Sequence, residues 1–157
     1  MRKLILITGL LALSACGFHL KGNQPYDHLP YKNWRVEGGE LQQSLENALR
    51  LADGVPVDAS HAQAAISITH LSAEKNVLTI TRAASINEYL LVLRITAQAS
   101  RNGAPLGEPM EIMIRRPMRY ADNEILGKKE DEAMIWQDMR QDAAQQIVRR
   151  LAFLKAQ

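Results

Sequence analysis

Glu88-Tyr89-Leu90-Leu91-Val92-Leu93-Arg94-Ile95-Thr96-Ala97-Gln98-Ala99-Ser100, followed by Arg101-Asn102-Gly103-Ala104, is the stretch that decides the fold. Tyr89, Leu91, Leu93, Ile95, Ala97 and Ala99 fall on one side of an extended chain. Leu90, Val92, Arg94, Thr96, Gln98 and Ser100 fall on the other, which turns polar after Val92. A period of two with one apolar side is that of a strand facing a core. Asn-Gly is the pair a tight hairpin favours, because both central residues of its turn take positive φ. A return strand is therefore predicted over Met110 to Tyr120, with Met110, Ile112, Ile114, Arg116 and Met118 on one face. Pro117 lacks an amide hydrogen, so it marks that strand as an edge or as bulged near its end.

Two further strands are predicted upstream. Ala64 to Leu71 alternates through Ile66 and Ile68, and Asn76 to Arg82 is rich in β-branched residues at Val77, Thr79, Ile80 and Thr81. Trp34-Arg35-Val36 opens a short strand before Gly38-Gly39, and Val55-Pro56-Val57 is a short extended piece. Between them, Leu41, Leu45, Ala48, Leu49 and Ala52 recur at three- and four-residue spacing, the apolar face of a helix over Glu40 to Ala52. Asp53-Gly54 ends it with a glycine cap. Asp122 to Lys129 reads as a polar loop. From Glu130 to Leu154 the helical period returns, with Ile135, Met139, Ala143, Ile147 and Leu151 in one row. Its acidic start and basic end suit the helix dipole. Helix, strands, helix is the order of an α+β domain. Two helices packed on one face of a mostly antiparallel, about four-stranded sheet bury all three apolar surfaces.

The N-terminus carries an address. Met1-Arg2-Lys3 is a short positive region, Leu4 to Leu13 is apolar, and Leu13-Ser14-Ala15 ends in small residues before Cys16, the sole cysteine. An apolar run of about ten residues is too short for a bilayer that needs roughly 20, so the pattern is that of a cleaved signal peptide. A cysteine directly after the small residues fits a lipobox, whose thiol is acylated and becomes the mature N-terminus. The alternative is an ordinary signal peptide with an incidental cysteine. Gly17 is not the aspartate that marks retention at the inner membrane, so the outer membrane is the expected address. The division is a signal peptide at 1–15, a lipidated N-terminus and tether at 16–33, and a single domain at 34–157.

Composition narrows the function. The chain has 19 Lys and Arg against 17 Asp and Glu. Removing residues 1–15 takes Arg2 and Lys3 and no acid, so the mature chain is neutral. It has no global basic field for nucleic acid. With Cys16 acylated no thiol remains for disulfides, and packing of aliphatic side chains must supply stability. His19, His28, His61 and His70 are scattered, without the spacing of metal ligands. There is no phosphate loop, no nucleophile elbow and no convincing carboxylate pair. Glu130, Asp131 and Glu132 are read as the solvated first turn of a helix. The sequence therefore describes neither an enzyme nor a cofactor protein.

Cations remain. Arg82 lies at the end of a strand, Arg115, Arg116 and Arg119 crowd another strand's end, and Lys128 and Lys129 precede the last helix. Gathered at one end of the sheet, they make a phosphate-binding patch on a neutral protein. The alternative is ordinary surface charge.

Cys16-Gly17-Phe18-His19-Leu20-Lys21-Gly22 resembles the mature start of the LptE family of lipopolysaccharide-assembly lipoproteins. The resemblance continues through Leu45, Ala48, Leu49 and Arg50, then Asn87-Glu88-Tyr89, then Ala143-Ala144-Gln145-Gln146-Ile147-Val148-Arg149-Arg150-Leu151. It covers essentially the whole mature chain. It implies a non-enzymatic plug within the LptD β-barrel that aids barrel assembly and binds lipopolysaccharide for insertion into the outer leaflet. It also implies a lipopolysaccharide site at Arg82, Lys128 and Lys129, and gives no support to Arg115, Arg116 or Arg119. Ala83-Ala84-Ser85-Ile86-Asn87 departs from the family's pattern in lacking a glycine at the turn. The implied partners are the barrel, the lipid A phosphates, and the membrane through Cys16. The competing reading is a lipoprotein subunit of a different envelope lipid-transport system.

Overall fold

A computed structural model describes residues 29–82, 86–120 and 128–155, Lys128 by its backbone. The elements run β1 (Asn33–Glu37), a 3-10 turn (Gly39–Leu41), α1 (Gln42–Leu51), β2 (Val55–Pro56), β3 (Ala64–Ile80), β4 (Ile86–Arg101), β5 (Ala104–Pro105), β6 (Met110–Arg119) and α2 (Lys128–Leu151). Strands follow the order β2-β1-β3-β4, with both β5 and β6 pairing β4.

The alternation in β4 has the expected consequence. Leu91, Leu93, Ile95, Ala97 and Ala99 are buried, as are Met110, Ile112, Ile114 and Met118 on β6. Both helices cover this face. Leu45, Ala48 and Leu49 of α1 meet Met139, Ala143, Ile147 and Leu151 of α2 in the same core. Trp34 sits fully buried in it, its indole N–H donating to the Tyr31 carbonyl at 2.7 Å. That bond satisfies the one polar atom of a large apolar side chain. The Asn102-Gly103 turn has φ of 49° and 80° and joins Arg101 to Ala104, as the Asn-Gly pair predicts. Pro117 lies in β6, which pairs β4 on one side and has no strand on the other among the described residues.

The expected mostly antiparallel, four-stranded sheet needs correction: the sheet is mixed and has six strands, two of them only two residues long. β1 lies parallel to both β2 and β3. The reason is the connection. α1 carries the chain back along the layer, so the strands before and after it point the same way. Gln63 pins the start of β1, its Oε1 accepting from the Lys32 and Asn33 amides at 3.0 Å each. The two strands expected at 64–71 and 76–82 are a single strand of 17 residues. Polar Ser72 to Lys75 stays in the ladder because β4 runs long enough to pair it, from Ser72 with Arg94 to Lys75 with Leu91.

The end of α1 differs in one detail. Asp53 takes the left-handed φ of 59°, and Gly54 follows with its amide bonded to the Leu49 carbonyl at 2.8 Å. This is the two-bond helix end, with Asp53 in the place usually given to glycine. Gly54 sits in a close approach: a Cβ there would meet Leu29 Cδ1 at 2.8 Å and the Leu49 carbonyl at 3.1 Å.

Candidate functional site

The sheet has two unlike ends. The chain enters at one, where Leu29 packs beside Gly54 and the Arg101 guanidinium donates to the Tyr31 hydroxyl at 3.1 Å. The Asn102-Gly103 turn is at this end, and Leu154 approaches Gly107 there. The other end is a tip. β3 runs to it and β4 returns from it, with Ile80 paired to Ile86, and β6 arrives with Arg119 opposite Glu88.

α2 starts over β3 and ends over β6. Near its start the Lys75 ammonium contacts Glu132 at 2.6 Å; at its middle Arg116 donates to Asp142 at 3.0 Å; at its end Arg150 donates to the Glu111 carbonyl at 2.9 Å. Lys75, Leu91 and Arg116 form one row across β3, β4 and β6, so the helix crosses the sheet obliquely. Burial works against the charge of Glu132. The Lys75 ammonium and the Trp136 indole N–H overcome that cost, and the carboxyl titrates below its ordinary value. Lys75 also lies 4.4 Å from the centre of the Tyr89 ring, which stacks edge-on with Tyr120 at 5.3 Å.

The Lys75–Glu132 contact fixes where α2 starts relative to the far part of β3. Ile80 lies five residues beyond Lys75, about 17 Å along the strand at 3.3 Å per residue. Arg82 follows it, exposed, and Lys129 is exposed one helical turn before Glu132. Glu130 and Asp131 share that first turn, and Arg149 and Arg150 lie in the last. Lys128 opens the helix and belongs to the same end by its backbone. Among the described residues Arg82 and Lys129 have no ion-pair partner. Ala83 to Ser85, residues 121–127 and Cys16 lie outside the described residues.

The pleat divides the three arginines of β6. Arg116 faces the helices and is held by Asp142, a packing role. Arg115 and Arg119 point to the uncovered face, and only Arg119, opposite Glu88, reaches the tip. The tip also holds residues that the charge pattern did not single out. Ala73 to Ile80 are exposed throughout, and Val77, Leu78 and Ile80 are 53%, 44% and 64% exposed. Their β-branched run was legible; their projection beyond the helices was not. Among the described residues no three His, Cys, Asp or Glu side chains gather as a metal site.

Two helices on one face of a mixed sheet, with a strand pair running on past them, define a small α+β domain. A family model described as "LptE: Lipopolysaccharide-assembly" matches residues 30–151. The chain belongs to the LptE family. It is 29% identical to the LPS-assembly lipoprotein LptE of Pectobacterium atrosepticum, over 94% of this chain and 83% of that one. Against the protein of the same name from Yersinia enterocolitica the identity is 30%, over 99% and 78%. The solution structure of an uncharacterized lipoprotein B from Nitrosomonas europaea superposes with a TM-score of 0.71 at 26% identity, covering 84% of this chain and 89% of that one. The rare lipoprotein B of Shewanella oneidensis shares the fold, with a TM-score of 0.65 at 22% identity over 76% and 93%. Family membership agrees with the non-enzymatic reading of the sequence.

Proposed function

We propose that this chain is an outer-membrane lipoprotein that plugs an LptD-type β-barrel, aids its assembly and binds lipopolysaccharide for insertion into the outer leaflet. Cys16 carries the acyl anchor at the periplasmic face. Arg82, Lys128 and Lys129 receive the lipid A phosphates. The observation that supports this reading is the opposition of the two ends: the described chain begins at one, and Arg82 follows the strand end at the other. An anchor at the first end leaves the second pointing away from the leaflet that holds it. Guanidinium and ammonium groups suit clustered phosphates, and a local patch attracts them without making a neutral protein basic. The exposed helix faces give the polar exterior that a barrel lumen requires.

The test has two parts. The protein co-purifies with a large barrel after mild detergent extraction; recovery as a lone monomer counts against the plug. Arg82→Asp combined with Lys128→Asp weakens lipopolysaccharide binding about tenfold or more, with an unchanged melting temperature, because both sites reverse sign. Unchanged binding removes these residues from the site.

A further inference from the structure

We infer that Val77, Leu78 and Ile80 at the end of β3 form a platform for the acyl chains of the lipid whose phosphates the tip cations hold. The inference rests on the lipopolysaccharide reading above and extends it from the headgroup to the chains. β1 covers β3 only from Ala64 to Ser67, so the outer edge of β3 beyond that point has no neighbouring strand among the described residues. From Ala73 onward the strand is exposed on both faces. An exposed strand end is ordinarily polar or charged, because open edges with apolar side chains attract other chains. Here Val77 shares a face with Tyr89, Leu78 sits at a register shift between Val77 and Thr79, and Ile80 pairs Ile86 after a second shift between Thr79 and Ile80. Three large apolar side chains are thus left in water within four positions, and nothing in the core requires them.

Their surroundings select the occupant. Arg82 follows Ile80 by two residues, Arg119 arrives on β6, and Lys129 lies in the first turn of α2. Among the described residues none of these three has an ion-pair partner. An amphiphile with phosphates beside acyl chains matches cations beside exposed aliphatic side chains. A purely anionic sugar leaves the apolar residues wet, and a neutral lipid leaves the cations unused.

The experiment compares intact lipopolysaccharide with its fully deacylated counterpart, which keeps the phosphates and sugars. Both are titrated against the full mature chain and against the triple variant Val77→Thr, Leu78→Thr, Ile80→Thr. Threonine is β-branched, as valine and isoleucine are, and favours a strand while removing apolar surface. The expected result is about a tenfold loss of affinity for the intact lipid and no change for the deacylated one, since only the apolar contact is removed. Arg82→Ser weakens both ligands. Equal binding of intact lipid by parent and triple variant overturns the inference, as does an equal loss of both ligands. Loss of barrel co-purification with lipid binding intact overturns it too, and makes the strand a protein contact. If the parent binds neither ligand, the lipopolysaccharide reading itself falls, and this inference with it. Should the triple variant fail to fold, Ile80→Thr, the most exposed of the three, gives the same comparison.

Discussion

Glu132 shows how one carboxylate sets the position of a helix. Lys75 reaches it from the sheet and Trp136 from the next turn, and both are strongest when it is charged. The folded pKa lies below the ordinary value of 4.5, so the unfolded chain takes up the proton first as pH falls. The pair's contribution is complete above 4.5 and is lost as pH drops through the lower folded value. Both side chains are a quarter to a third exposed, which holds that contribution below about 1 kcal/mol. Glu132→Gln is expected to melt slightly earlier than the parent at pH 7, and the gap should narrow in melts at a pH below 4.5. A gap of constant size across thermal melts at both pH values would assign the effect to packing. Glu74 is held low in the same direction, first by the hydrogen bond from Arg94 and then by its charge. Nothing in the hydropathy pattern marks Lys75, because its partner is 57 residues away.

At the scale of elements, periodicity did most of the work. The helix rows Leu41-Leu45-Ala48-Leu49 and Met139-Ala143-Ile147-Leu151 are buried where their spacing places them. Ile147→Ala removes buried methylenes between α1 and the sheet and is expected to cost 2–5 kcal/mol, about the usual range for such a truncation. Met134→Ala, on the exposed side of the same helix at 63% exposure, should change stability by no more than about 0.5 kcal/mol. Chemical denaturation of the two variants separates the cases; comparable losses would contradict the observed facing of α2. The elements that periodicity divided wrongly are β3 and β1. Ser72 to Lys75 looks like a break because it is polar, yet its backbone is claimed by β4. β1 carries too few residues to declare its direction, which α1 imposes.

At the scale of the whole molecule the sheet has an entry end and a tip, and β3 and β4 run on to the tip past the last pairing of β1. If Cys16 is the anchor, Cys16→Ser abolishes incorporation of labelled palmitate and releases the protein from the membrane pellet, while the domain melts as before. Retention in the pellet without label would mean that the partner barrel alone holds it. Two or more acyl chains are enough to make such attachment stable.

The sequence by itself determined the parts: the strand alternation at 88–100, the Asn-Gly turn, both helix faces and the LptE family. Each of these is written within a few residues or in an ordered set of short motifs, which is where local periodicity and backbone preference act. The tertiary structure alone decided the parallel course of β1 and the unbroken length of β3. It also separated Arg116, held by Asp142, from Arg119, and left Val77, Leu78 and Ile80 beyond the cover of the helices. Those outcomes depend on which strand pairs which and where a helix crosses, and such contacts join residues that the chain keeps far apart.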